Sequence, residues 1–278
     1  MSRAVATLLT ITLSLLVFIL VSSTVSALQI RVGSSVCPAS GIGGCISLAG
    51  EIEPGDYDRL VRTLLSDAVD DYILNVTVSS SGGDVLEAIK LGKLLSGLYA
   101  TVWNTEGPCD SACVFVLVGG RSRIVFPVSL RIGLHRPFFD RSYFAGLTVD
   151  QAEEKYKELT TLVRDYLSAR HVPQATTDRM FDTASPFVSY LSGEDVARGA
   201  LGHGDPAFDE WLTARCGAIG KEDLEAFLYC QKKGESDPAC SAIMRQWRAH
   251  AMCEGREITA EVKKVLDQLR QQSTNPMR

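Results

Sequence analysis

ILNVTVSSSGGDVLEAIKLGKLL, residues 73–95, reads as a β-strand that turns through a serine-glycine loop directly into a helix. Ile73, Asn75 and Thr77 alternate with Leu74, Val76 and Val78, a β-rich run with the two-residue period of a strand. Past Gly82-Gly83 the period changes: Val85, Ile89, Gly92 and Leu95 fall on one side of a helix. The same alternation extends in both directions. Residues 45–50 read as a strand, and Pro54 at a first helical position opens a helix over 55–65. Downstream, 101–103, 123–126 and 130–133 read as strands, and 111–118 is a small and apolar run closed by Gly119-Gly120. Residues 148–169 form a charged amphipathic helix with Leu159, Leu162, Tyr166 and Leu167 on one side. Strands alternating with helices in this order call for an α/β fold. There are no internal repeats and no low-complexity segments.

The chain has 278 residues, with 28 Lys and Arg against 33 Asp and Glu, a net charge of -5. Hydrophobic content of 46% with 22% charged residues excludes wholesale disorder. A mildly acidic balance without a basic run argues against nucleic acid as a partner. Arg3 precedes an apolar stretch, 8–21, followed by Val25-Ser26-Ala27, the pattern of a secretory signal over 1–27 cleaved after Ala27. The competing reading is an uncleaved N-terminal anchor. Either reading exports the remainder to the periplasm or the medium, with no membrane contact after cleavage. Composition turns helical and cysteine-bearing after Asp205, which divides the exported chain into 28–205 and a helical region, 206–278.

Export makes the 8 cysteines readable as disulfides. Cys37 and Cys45 flank a glycine-rich turn and are expected to pair as Cys37–Cys45. Cys216, Cys230, Cys240 and Cys253 lie at intervals of 14, 10 and 13. If 221–233 and 238–253 are antiparallel helices, the inner pair sits at the turn. The outer pair then lies about four helical turns along both arms. Nested bridges, Cys230–Cys240 inside Cys216–Cys253, are the preferred connectivity of three. Metal binding is disfavoured, since no C-x2-C pair and no His pair lies nearby.

Three loops carry residues capable of chemistry. Ser80-Ser81-Gly82-Gly83 sits at a helix N-terminus, where outward-turned N–H groups suit a negative oxygen. Gly107-Pro108-Cys109-Asp110-Ser111-Ala112-Cys113 places Ser111 after a turn and at the opening of an apolar helix, as a nucleophile or a plain N-cap. Gly133-Leu134-His135-Arg136-Pro137 leaves an imidazole at a strand end, better placed to serve Ser111 than His171, His203 or His250. Cys109 and Cys113 flank the serine at i, i+4, about 6 Å apart on a helix and within bridging range. The choices are a Cys109–Cys113 bridge that clamps the turn or two reduced thiols in a packed helix.

In this order the three loops resemble the proteolytic subunit of the Clp protease, in the wider Clp/crotonase superfamily, and most of all its exported members. Ser80-Ser81-Gly82-Gly83 stands for the family's Ser-Pro-Gly-Gly, Gly107-x-Cys109-x-Ser111 for Gly-x-Ala-x-Ser, and Leu134-His135-Arg136-Pro137 for Ile-His-Gln-Pro. Tyr190 to Gly199 is similar to a late segment of the same domain, and the likeness spans 46–202. It implies a Clp/crotonase-like spiral of ββα units followed by the helical, disulfide-linked appendage, and assembly into rings or trimers. It further implies Ser111 as nucleophile, His135 as general base and later acid, and an oxyanion hole from the N–H groups of Gly83 (or Gly82) and Ala112. The reaction implied is hydrolysis of a peptide or protein substrate through an acyl-enzyme, without a cofactor. The family's acid is missing from Phe187-Val188-Ser189-Tyr190, which leaves Asp182 or a backbone carbonyl to orient His135. The alternatives are a catalytically inactive exported scaffold and, less compatible with export, acyl-thioester chemistry on coenzyme A.

Overall fold

The computed structural model describes residues 27–33, 44–66, 74–202, 204–233 and 237–274. The signal over 1–27 and the Cys37–Cys45 pairing fall wholly or partly outside them. The described chain is a mixed α/β structure with two small mixed sheets, followed by a helical C-terminal region that carries disulfides. Among the described residues no helix is long and apolar enough to cross a membrane.

The larger sheet has the order β1 (Gln29–Val32), β2 (Gly44–Ala49), β3 (Leu74–Ser79), β4 (Thr101–Asn104) and β6 (Ser122–Val125). Only the β1–β2 pairing is antiparallel; β2, β3, β4 and β6 run parallel. Its central strand, β3, buries both faces, as a parallel strand covered by helices must. The smaller sheet has the order β5 (Cys109–Asp110), β7 (Arg131–Leu134) and β8 (Ser189–Ser192), parallel then antiparallel.

The helices between the strands are α1 (Asp56–Leu65), α2 (Val85–Gly97) and α3 (Cys113–Leu117). Those that follow β7 are α4 (Val149–Ala169), α5 (Gln174–Asp182) and α6 (Gly193–Ala197). Asp84 caps α2 by accepting from the Glu87 N–H, which starts that helix directly after the glycine loop. A Thr148–Gln151 capping box starts α4. The buried stripe of α4 is Leu159, Val163, Tyr166 and Leu167, whereas the expected Leu162 is 38% exposed. The spacing of 4, 3 and 1 holds one face, and Leu162 sits at its edge, about 100° from Val163. The helix after Ser111 is a short, wholly buried piece, and its 115 carbonyl is met by the Tyr166 hydroxyl at 2.7 Å.

Beyond Asp205 lie α7 (Pro206–Cys216), α8 (Lys221–Lys233) and α9 (Pro238–Thr274). Both expected nested bridges are present: Cys230–Cys240 with Cα atoms 5.1 Å apart and Cys216–Cys253 with 5.7 Å. Their setting differs from the simple two-arm hairpin. Gly217, at φ 87°, ends α7, so Cys216 lies on a separate helix and the outer bridge ties α7 to α9. The 238–253 arm continues without a break through Ile258 to Thr274. Ile258, Val262 and Leu266 of α9 are buried in the main core, and Phe208 of α7 stacks on Tyr99 with centroids 4.5 Å apart. The helical region is therefore packed against the α/β part as well as cross-linked within itself.

Candidate active site

The serine elbow is built where the two sheets meet. β3 ends at Ser79, and Ser80 then lies alongside β5: its N–H donates to the Pro108 carbonyl at 2.7 Å, and the Asp110 N–H donates to the Ser80 carbonyl at 3.1 Å. Gly82 and Gly83 are held against the chain at Ile52, whose N–H donates to the Gly82 carbonyl at 2.9 Å and whose carbonyl accepts from Asp84 at 2.8 Å. A Cβ on Gly83 would lie 2.1 Å from the Ile52 carbonyl oxygen, so only glycine permits this approach.

Ser111 follows β5 and adopts φ 56°, one of three non-glycine residues with positive φ among the described residues. This left-handed turn ends the strand before α3 begins and pushes the side chain out of both elements, so Ser111 is not the N-cap; Ala112 takes that position. Positive φ at a non-glycine residue costs of order 1–3 kcal/mol and persists only where the surroundings over-determine it. The surroundings here are specific. The Ser111 N–H donates to the Gly133 carbonyl at 2.9 Å, and a Cys109–Cys113 disulfide, with Cα atoms 5.2 Å apart, spans the turn. A Cβ on Gly82 would lie 2.7 Å from the Ser111 Cβ and 3.0 Å from its Oγ. The glycine loop and the serine are thus in contact.

The backbone donors around Ser111 are unequally occupied. The Gly82 N–H already donates to the Ser80 Oγ at 3.0 Å. The N–H groups of Gly83 and Ala112 have no partner among the described residues, although Ala112 is fully buried. A buried N–H without a partner is rare in native structures. Of the donors named from the sequence, Gly83 and Ala112 are the pair left open.

His135 follows β7, which pairs with β5 in the register Cys109↔Ile132 and Asp110↔Gly133. The parallel ladder delivers Ser111 and His135 to the same end of the small sheet. The Ser111 hydroxyl makes no hydrogen bond among the described residues, so the serine–imidazole bond is open in this state. The His135 Nδ1 lies 2.8 Å from the Arg136 carbonyl oxygen. A carbonyl only accepts, so that contact makes Nδ1 the donor and leaves Nε2 as the basic nitrogen. The Arg136 main chain is itself anchored: its N–H donates to the Thr183 carbonyl at 2.8 Å and its Nε to the Phe181 carbonyl at 2.7 Å.

Asp182 ends α5, exposed, and forms no hydrogen bond or ion pair among the described residues. Of the two substitutes for the absent acid, the backbone carbonyl is the one in contact with His135. Sequence reasoning passed over a further carboxylate, Asp110. Its Oδ1 is buried without a hydrogen-bond partner, and burial pushes its carboxyl up, with the Gly133 N–H and the His135 charge acting in the opposite direction. Position before Ser111 was the available signal, but the facing of β5 and β7 was not visible from it.

Beside Gly83 opens a cleft of about 450 Å³, walled by Ile52, Val85, Phe138 and Phe139 and edged by the carboxylates of Glu51, Glu53, Asp84 and Asp140. A second cavity, about 440 Å³, lies on the other side of Phe138 and Phe139 against Arg136 and Phe144. His171 and His250 lie elsewhere: His171 is 3.9 Å from Asp205, and His250 contacts the Gly217 carbonyl at 3.0 Å. His203 is outside the described residues. No group of three His, Cys, Asp or Glu among the described residues is arranged to hold a metal ion. Comparison with models of known protein families and with curated proteins finds no match to this chain.

Proposed function

We propose that this protein is an exported serine hydrolase, a peptidase of the Clp/crotonase-like type, working through an acyl-enzyme in the periplasm or outside the cell. The observation that carries the reading is Ser111 held at positive φ against Gly82, next to a loop and a helix start whose Gly83 and Ala112 N–H groups have no partner among the described residues. Three disulfides among the described residues mark an oxidising, extracytoplasmic environment.

In the proposed reaction the Ser111 Oγ attacks the carbonyl carbon of the peptide bond while His135 Nε2 takes the hydroxyl proton. Gly83 and Ala112 donate to the oxygen that becomes negative. The proton passes from Nε2 to the leaving amine, and the C–N bond breaks to give an ester on Ser111. Water, deprotonated by the same nitrogen, then releases the acid and restores the hydroxyl. The Arg136 carbonyl keeps the tautomer that this sequence requires throughout. The cleft beside Gly83 is of a size to take a substrate side chain.

A fluorophosphonate probe tests the assignment: it labels the wild type, and Ser111→Ala abolishes labelling without unfolding the chain. Equal labelling of both proteins refutes Ser111 as nucleophile. A second reading, an exported binding module on the same scaffold, is favoured by the open Ser111–His135 pair and by the missing acid in Phe187-Val188-Ser189-Tyr190. Failure of the wild type to react with the probe, with Ser111 shown to be accessible, decides for that reading.

A further inference from the structure

The candidate site has a tautomer-setting carbonyl but no counter-charge for the imidazolium at the position where the family resemblance puts one. We propose that Asp110 supplies that charge, as a positioning residue on β5 that faces His135 across Gly133. The inference rests on the hydrolase reading and deepens it.

Strand register carries it. Asp110 pairs with Gly133, so the two residues present the same face of the small sheet, and His135 comes two residues after Gly133, just past the end of β7. Gly133 has no side chain to separate them. A Cβ there would lie 2.2 Å from the Asp110 Oδ1, 2.6 Å from its Cγ and 2.9 Å from the Val188 Cγ1. The carboxyl therefore occupies the space above Gly133, next to Val188 of the stretch from which the family's acid is absent. Its Oδ1 is buried without a hydrogen-bond partner, a costly arrangement for a purely structural side chain.

Charged neighbours leave His135 as the counterpart. The Arg136 guanidinium is engaged by the Phe181 carbonyl, and Arg179 of α5 by Ser189 and the Tyr190 carbonyl of β8. Asp182 is exposed at the end of α5, Arg131 is exposed on β7, and Tyr190 of β8 is 44% exposed. The one side-chain charge that acts appreciably on the Asp110 carboxyl is that of His135, which lowers its pKa against the opposing effect of burial.

The test compares wild type, Asp110→Asn, Asp110→Ser and the double variant Asp110→Asn with Val188→Asp, each checked for folding by circular dichroism. One readout is the NMR titration of the His135 imidazole in a Ser111→Ala background. The other is the pH profile of fluorophosphonate labelling with Ser111 present. Asp110→Asn or Asp110→Ser is expected to lower the His135 midpoint and to slow labelling about tenfold or more, while Val188→Asp restores both. An unchanged His135 midpoint in a folded variant overturns the proposal, whatever the labelling does. A wild type inert to the probe overturns the hydrolase reading instead, and the titration still reports separately on the Asp110–His135 pair.

Discussion

Gly82→Ala puts the elbow to its most direct test. Two costs combine at this position. Gly82 has φ 116°, a region that residues with a Cβ rarely enter, at about 1–3 kcal/mol. The new Cβ would also stand 2.7 Å from the Ser111 Cβ, roughly 1 Å inside ordinary carbon–carbon contact, and overpacking of that kind costs about 1–3 kcal/mol. The sum, about 2–6 kcal/mol, is a large part of a typical domain's stability of about 5–15 kcal/mol. It corresponds to a fall of at least about 4 °C in Tm for a chain of this size. Relief requires Ser111 to move, so the loss of stability and the loss of probe reactivity should arrive together. Gly97→Ala is the matched control. Gly97 closes α2 with nothing within 4 Å of its would-be Cβ, so alanine there should stabilise by about 0.4–1 kcal/mol. Differential scanning calorimetry and the second-order labelling rate provide the readouts. A Gly82→Ala protein that melts and labels like the wild type refutes the close contact of loop and serine. Equal destabilisation by both alanines refutes the account based on φ and contact.

Tyr166→Phe deletes the hydroxyl that serves the Phe115 carbonyl and should cost about 1–3 kcal/mol in urea denaturation, since a buried acceptor is left bare. A variant as stable as the wild type would show that the carbonyl finds another donor. Alkylation of the unreduced, denatured protein followed by mass spectrometry should leave Cys109 and Cys113 unmodified, and labelled peptides would exclude the elbow bridge. Asp110→Asn should be at least as stable as the wild type at neutral pH. Burial raises the native carboxyl's pKa, so its contribution to stability is fullest at acid pH and is lost as pH rises through the native value. The variant's advantage in Tm should therefore shrink between neutral pH and about pH 3. An advantage that grows on acidification would contradict a desolvated carboxyl.

Much of the α/β order was legible because strand and helix impose different periods on neighbouring residues. The change of period at Ser79-Ser80-Ser81-Gly82-Gly83 marks the end of β3 and the start of α2 within a residue or two. The nested bridges followed from spacing, since Cys230 lies near the end of α8 and Cys240 near the start of α9. The break at Gly217 was less visible: Cys216 satisfies the spacing of a continuous arm while lying on a helix of its own. Leu162 failed for a related reason, because Leu162 and Val163 are both apolar and only packing selects between adjacent helical positions.

Local sequence alone named Ser111, His135 and the two glycines, because a turn, a strand end and a glycine pair are encoded by residues next to one another. Tertiary structure decided which of those groups are free to act. The Gly82 N–H is taken by Ser80, the Gly83 and Ala112 N–H groups have no partner among the described residues, and the His135 ring is held by the Arg136 carbonyl. Asp110 shows why: its relation to His135 depends on the register of β5 against β7, a pairing between segments more than 20 residues apart. Hydrogen bonding and strand register consume or align particular atoms across such distances, and neither leaves a local pattern in the chain.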